Sequence, residues 1–253
     1  YIDTVLRPYC VMSPEAEQKI AELCASTETP LESQWPVNYP WRLEPYAKQL
    51  LAIQKLFPMR EWALFAEMGT GKTKCTLDVA AAHMMKGNIQ GVIAISRVSI
   101  RDNWCDEVAK HVPECLNMRT FIGDSTSARL MRELSAPKEG NFLVSVGVES
   151  LSVKEGGGKL FDALFDIAKT YKCMLVVDEA HSIKNHESTR TKNAELLARM
   201  CEIRAILTGT PTPQSILDLY GQFGVLNPDI IGYHDWYRSE EHTSELQSPC
   251  NLV

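Results

Sequence analysis

No apolar run in this sequence reaches the roughly 18 residues of a membrane-spanning helix, and no charged segment followed by an apolar stretch opens it. A membrane span and a secretory leader are therefore not expected, and the reading is an intracellular, cytoplasmic protein. The eight cysteines form no C-x-x-C pair and share no metal-ligand spacing with histidine, which excludes the common zinc modules and leaves reduced, mostly buried thiols. A basic excess is missing as well. With 26 Lys and Arg against 32 Asp and Glu, the formal net charge of −6 argues against a protein that coats nucleic acid by overall charge, although a local basic groove stays open. The chain begins on Tyr1, not Met, so the natural N-terminus is expected to lie further upstream. What is present is ordinary globular composition: 253 residues, 45% hydrophobic and 23% charged, enough for one large core or two small ones.

The most informative stretch is FAEMGTGKTKCT, Phe65 to Thr76. Ala66 to Thr73 has the spacing of a phosphate-binding loop of Walker A type, with Ala in the first glycine position. Trp62 to Phe65 can end a buried strand, and Thr73 to His83 has apolar residues at helical spacing, so the glycines fall at a strand-to-helix turn. Gly69 and Gly71 there permit the backbone angles and close approach by which successive N–H groups converge on an anion at a helix N-terminus. Lys72 is placed to reach β- and γ-phosphates, and the Thr73 hydroxyl to ligate Mg²⁺. A glycine–lysine turn arising by chance would need neither the strand before it nor the acidic motif described below.

Elsewhere the pattern is strand, then helix, repeated. Strands are expected at Trp62–Ala66, Val92–Ser96, Met118–Ile122, Phe142–Val146, Met174–Asp178 and Ala205–Thr208, each read as apolar rather than alternating. Helices are expected at Lys72–Met85, Arg101–His111, Thr126–Leu134, Lys159–Lys169 and Ser188–Met200. That alternation predicts an α/β fold, a P-loop NTPase with a parallel sheet covered by helices on both faces and its ligand at the carboxyl ends of the strands. Upstream, Ser13–Ala25 reads as a capped helical appendage, and Glu44–Phe57 as an amphipathic helix carrying Gln49. Between them, Thr29–Pro40 is an irregular connector whose Trp35 and Tyr39 either pack on the domain or stack on a base.

MLVVDEAH, Met174 to His181, ends an apolar strand with two adjacent carboxylates. Buried acids are costly unless paired or on a metal, so Asp178 suits Mg²⁺ and Glu179 suits activation of the water that attacks a γ-phosphate. A helix N-terminus merely decorated with acids is the plain alternative.

AEMGTGKT at Ala66–Thr73, DEAHSIKN at Asp178–Asn185 and LTGTP at Leu207–Pro211 stand in one order. Leu217-Asp218-Leu219-Tyr220 and Leu226-Asn227-Pro228 follow. On these motifs the chain resembles the first RecA-like domain of a superfamily-two helicase or translocase, and most resembles the Swi/Snf-like branch, including its bacteriophage members. The resemblance runs from about Leu43 to Pro228. It implies an ATP-dependent, DNA-stimulated motor using ATP and Mg²⁺, with nucleic acid, DNA by preference, as partner and no membrane. A second RecA-like domain of the natural chain is implied too, and nothing here matches it.

Carried over by position, Met68, Gly69, Thr70, Gly71, Lys72 and Thr73 form the nucleotide loop, with Lys72, Asp178, Glu179 and His181 as the catalytic set. Gln49 resembles the glutamine that reads adenine, although Pro45-Tyr46 lies two residues further upstream than in the commonest version; a plain helix-surface glutamine is the alternative. His181 resembles the residue linking the phosphate site to the segment Thr208-Gly209-Thr210. Arg97 and Ser99, in IAISRVSIRDNW, resemble contacts to a nucleic-acid backbone, with Ser96 where the family has proline. Glu149 and Ser150, in VSVGVESL, fall in a second such segment, with Val148 where an aromatic is usual. Trp104 reads as a core residue.

Three domains of sequence are thus expected: an appendage and connector over 1–42, the RecA-like domain over 43–237, and a tail over 238–253. The tail begins RSEEHTSELQS, Arg238 to Ser248, which resembles a translated sequencing-library adapter, the alternative being an ordinary polar C-terminus. The natural protein is then expected to continue beyond Tyr237. Two rival functions are a restriction-system translocase subunit and an inactive ATP-binding scaffold, the second disfavoured by intact Lys72, Asp178 and Glu179.

Overall fold

The structure, a computed structural model, describes residues 35–36, 38–153, 158–212 and 218–228. Of the two compact units into which the chain divides, Tyr1–Ser33 lies wholly outside these residues, as do the expected Ser13–Ala25 helix and the 238–253 tail.

Six parallel strands form one sheet in the order β1-β6-β5-β2-β4-β3. They are β1 (Glu61–Phe65), β2 (Gly91–Ser96), β3 (Arg119–Gly123), β4 (Phe142–Gly147), β5 (Cys173–Asp178) and β6 (Ile203–Thr208). Every residue of β2, β4 and β5 is buried, which is why these segments read as mainly apolar and do not alternate. Alternate side chains serve opposite faces. Val92 and Ala94 join a core with helices α1 (Ala47–Leu56), α2 (Lys72–Met85) and α3 (Arg101–His111), contributed by Ile53, Leu77 and Trp104. Ile93 and Ile95 join the other core, with α4 (Ala128–Ser135), α5 (Lys159–Thr170), α6 (Thr189–Ala198) and α7 (Asp218–Leu226) contributing Leu134, Leu164, Leu197 and Val225. Helices therefore cover both faces, as the alternation predicts.

Some boundaries differ from the sequence expectation. Ala66 lies past the end of β1, although its amide still donates to the Thr208 carbonyl at 3.2 Å. Helix α4 begins at Ala128, not Thr126, because the Ser127 hydroxyl caps it by accepting from the Leu130 amide at 3.3 Å. Helix α1 begins at Ala47, not Glu44, since Tyr46 is extended and serves as N-cap.

In the described part of the connector, half-buried Trp35 packs against the core of the α1 to α3 face, its ring centroid 5.4 Å from Trp41 and 5.1 Å from Phe57. The connector is fastened to α2 by a buried polar group: Tyr39 donates to Asp78 Oδ1 at 3.0 Å, and Lys74 donates to Asp78 Oδ2 at 2.8 Å and to the Leu43 carbonyl at 2.7 Å. Burial pushes the Asp78 carboxyl upward, and the Lys74 bond pulls it back. This group anchors the helix that begins at the glycine-rich loop.

On the opposite face, α7 closes on the turn that follows β5. A Cβ on Gly221 would fall 2.2 Å from the Ile183 carbonyl oxygen and 2.9 Å from that of Lys184. The buried Gln222 donates to the Pro211 carbonyl at 2.7 Å, so one helix holds the segments after β5 and after β6. Gly221→Ala is expected to destabilise by about 1–3 kcal/mol, although alanine favours a helix by about 1 kcal/mol. The measurement is thermal unfolding, where each kcal/mol corresponds to about 2–4 °C at this size. A melting temperature equal to or above the parent's would show that the close approach costs nothing.

Candidate functional site

The carboxyl ends of β1, β6 and β5 are neighbours, and each carries one of the expected motifs. Between β1 and α2, the loop turns on Gly69 at φ 79° and Gly71 at φ 85°, conformations that side chains rarely adopt. Gly71 is doubly constrained, since a Cβ there would lie 2.3 Å from Gln49 Nε2. The loop is braced internally: Thr70 Oγ1 donates to the Glu67 carbonyl at 2.8 Å, and Lys72 Nζ donates to the carbonyls of Ala66 at 2.9 Å and Glu67 at 3.2 Å. Its ammonium thus already stands over the loop. Met68 is 85% exposed at the loop's apex.

Gln49 packs against this loop. Its Oε1 accepts from the Tyr46 amide at 3.0 Å and its Nε2 donates to the Thr70 carbonyl at 3.0 Å. An amide has a second N–H and a second lone pair, so both ends retain one position for a base edge. Tyr46, whose side chain is exposed, precedes it by three residues.

Asp178 ends β5 in a buried position. Oδ1 accepts from the Glu179 amide at 2.9 Å and Oδ2 from the Trp104 indole at 3.3 Å. Burial pushes its carboxyl above the usual carboxylate range, and the Glu179 charge pushes the same way; the Glu179 amide, Trp104 and Lys72 pull it back. A cation beside it would relieve that cost. Thr73 and Asp178 line one cavity of about 330 Å³, with Trp104, Glu107 and Lys110 of α3 on its wall. A hydroxyl and a carboxylate facing a shared polar cavity are oxygen donors of the kind that Mg²⁺ takes. The residues therefore fit the metal.

Glu179 adopts φ 51° and ψ 54°, left-handed backbone that is costly for a side chain bearing a Cβ. The kink carries the chain into a 3-10 turn over Ala180–Ile183. His181 expectedly sits in this turn, but its contacts differ from the link to β6 that the family resemblance implies. Arg97 Nη2 donates to His181 Nε2 at 2.6 Å, and Nδ1 stands 3.2 Å from Glu179 Oε2. Thr208 Oγ1 instead accepts from the Thr210 amide at 3.1 Å, and a Cβ on Gly209 would lie 3.4 Å from the Ala66 carbonyl. The segment after β6 therefore leans on the glycine loop.

The two segments read as nucleic-acid contacts also meet. Ser96 of β2 stands opposite Gly147 of β4, so the loops that follow lie side by side. A Gly147 Cβ would fall 2.5 Å from Val98 and 3.1 Å from Glu149 Oε2. Arg97, Ser99 and Glu149 are exposed, while the Ser150 hydroxyl donates to the Gly147 carbonyl at 2.6 Å. The structure thus groups loop, acids and β6 end at one location, with the loops after β2 and β4 side by side. Sequence reasoning missed the Trp104 bond to Asp178, although a tryptophan buried on a helix must find an acceptor for its one N–H. It also missed Gly221 and Gln222, for which the sequence offers no signal beyond a glycine inside a helical pattern.

The family model described as the SNF2-related domain matches residues 55–249. A chromatin-remodeling ATPase INO80 of Eremothecium gossypii is 29% identical over 197 residues, covering 74% of this chain and 13% of that protein. Its counterpart from Aspergillus oryzae is 30% identical over 197 residues, with the same coverage. The chain thus spans about an eighth of the length of these relatives. Among solved structures, a Sulfolobus solfataricus SWI2/SNF2 ATPase core in complex with dsDNA superposes with a TM-score of 0.63 at 21% identity, over 82% of this chain and 41% of that one. The S. solfataricus SWI2/SNF2 ATPase core domain superposes with a TM-score of 0.56 at 23% identity, over 83% and 42%. These two likenesses concern the fold.

Proposed function

The chain belongs to the SNF2-related domain family, and from that premise we propose that it is the first RecA-like domain of an ATP-dependent DNA translocase of the Swi/Snf-like, superfamily-two helicase type. The observation that carries the reading is the convergence of the glycine loop, Asp178-Glu179 and Thr208-Gly209 at the carboxyl ends of three adjacent strands. In this reading the protein is intracellular, its substrate is ATP, its track is DNA, and a second RecA-like domain closes over the nucleotide.

The loop amides and Lys72 hold the phosphates, with Gln49 at the adenine end. Thr73 and Asp178 would hold Mg²⁺, which when bound supplies charge neutralisation on the β- and γ-phosphate oxygens. Glu179 positions the attacking water and accepts its proton, while the strained backbone at this residue fixes where the carboxylate points. Thr208 to Thr210 lean on the phosphate loop, so a change there is felt at the end of β6. Arg97, Ser99, Glu149 and Ser150 form the surface beside it that meets the nucleic-acid backbone.

The test compares the parent with Glu179→Gln in the complete natural protein under single-turnover conditions, with protein in excess over γ-labelled ATP. The variant is expected to bind Mg·ATP as the parent does and to release phosphate more slowly by a factor on the order of 10²–10⁴, the usual worth of a general base. Equal phosphate release by the two would remove Glu179 from the chemistry.

A further inference from the structure

Arg97 follows β2 and His181 follows β5, yet Arg97 Nη2 lies 2.6 Å from His181 Nε2. A guanidinium has only donors, so the ring nitrogen facing it must be the one with the lone pair. The ring is thereby neutral with its proton on Nδ1. That nitrogen is buried without an aligned hydrogen-bond partner, and Glu179 Oε2 stands 3.2 Å away; a small turn of ring or carboxylate completes the bond. Three residues from two strand ends thus form a row: exposed Arg97, then His181 and Glu179, whose side chains are 22% and 20% exposed.

We infer that Arg97 is a positioning residue shared between the nucleic-acid backbone and the hydrolytic site. Bound to His181, it fixes the tautomer that turns an N–H toward Glu179; taken up by a phosphodiester, it lets that tautomer go. The inference rests on the proposed roles of Glu179 and of nucleic acid. A phosphodiester is the stronger partner for Arg97, because it is a full anion that can accept two parallel N–H bonds, whereas the neutral imidazole offers one lone pair. Arg97 is also the member of the row that solvent reaches, so an incoming backbone meets it first. The direction of coupling follows. An Nδ1 proton held on Glu179 competes with the water whose proton that carboxylate must accept, so removal of Arg97 from His181 frees the base.

The experiment is ¹⁵N–¹H correlation spectroscopy of the histidine rings in the 253-residue chain at one fixed pH, with His181→Gln used only to assign the His181 signals. In the parent, His181 is expected to show the tautomer protonated at Nδ1. In Arg97→Ala it should become a mixture with the form protonated at Nε2, while the signals of the other histidines stay in place and report an intact fold. A short DNA duplex should move the parent's His181 toward the Arg97→Ala pattern and leave that variant's unchanged. An Nε2-protonated ring in the parent, or the same tautomer with and without Arg97, would overturn the inference. Fluorescence anisotropy follows DNA binding separately. DNA that binds the parent while His181 stays unmoved would refute the competition and spare the proposed function. DNA that fails to bind at all would overturn both, with the variant comparison still reporting the Arg97 to His181 contact.

Discussion

Replacing Lys72 by alanine is expected to weaken binding of Mg·ATP to the 253-residue chain by about ten- to a hundredfold. The removed group is an ammonium on the nucleotide loop, and a hydrogen bond to a charged partner contributes about 1.5–3 kcal/mol. Lys72 also donates to the carbonyls of Ala66 and Glu67, so its loss removes two braces of the loop itself. Titration calorimetry with two nucleotides separates these effects. AMP has no β- or γ-phosphate for the lysine to reach, so its affinity should change little if the loop stands. An equal loss for ATP and AMP would mean that the loop had collapsed, and unchanged ATP affinity would mean that Lys72 does not hold phosphate.

The sheet was legible because β2, β4 and β5 are buried on both faces and are apolar but for Ser96, Ser145 and Asp178. Element ends were harder. Thr126 has helix-compatible neighbours, but its amide and hydroxyl both bond to Asp124, and this side-chain chemistry outweighs the periodic pattern and delays α4 to Ala128. In the site, what lies within one loop was legible: Gly69, Gly71 and Lys72 owe their positions to local backbone geometry. Contacts between distant segments were not. The Trp104 bond to Asp178 spans 74 positions and the Arg97 bond to His181 spans 84, and only the order of strands in the sheet brings them together. His181 shows the limit of resemblance most clearly. Its place in the motif implied a link to Thr208 and Thr210, whereas an arginine at position 97 draws the ring toward β2.

By itself, this chain is expected to hydrolyse Mg·ATP very slowly and without stimulation by duplex DNA. In the family, ATP lies between two RecA-like domains, and arginines from the second stabilise charge on the γ-phosphate as hydrolysis proceeds. Among the described residues, two arginines that follow β2 have other partners: Arg97 is bonded to His181, and Arg101 to Asp102 and Asp124. Neither points a guanidinium over the glycine loop. An arginine supplied to the transition state is worth roughly 10³–10⁵ in turnover of related phosphoryl-transfer enzymes. That loss is not recovered by Lys72, Thr73 and Asp178, which hold phosphate and metal already in the ground state, nor by Glu179, which takes up a proton and supplies no positive charge. Stimulation should vanish for a second reason. A duplex spanning both domains can draw a cleft closed, whereas on one domain the Arg97 and Ser99 surface has nothing to close against. Release of Glu179 by Arg97 would then alter the base without completing the site. Steady-state ATPase with and without duplex DNA makes the measurement. A DNA-stimulated rate near roughly 1 s⁻¹, the lower end of ordinary enzyme turnover, would mean that this domain carries all the charge its chemistry needs.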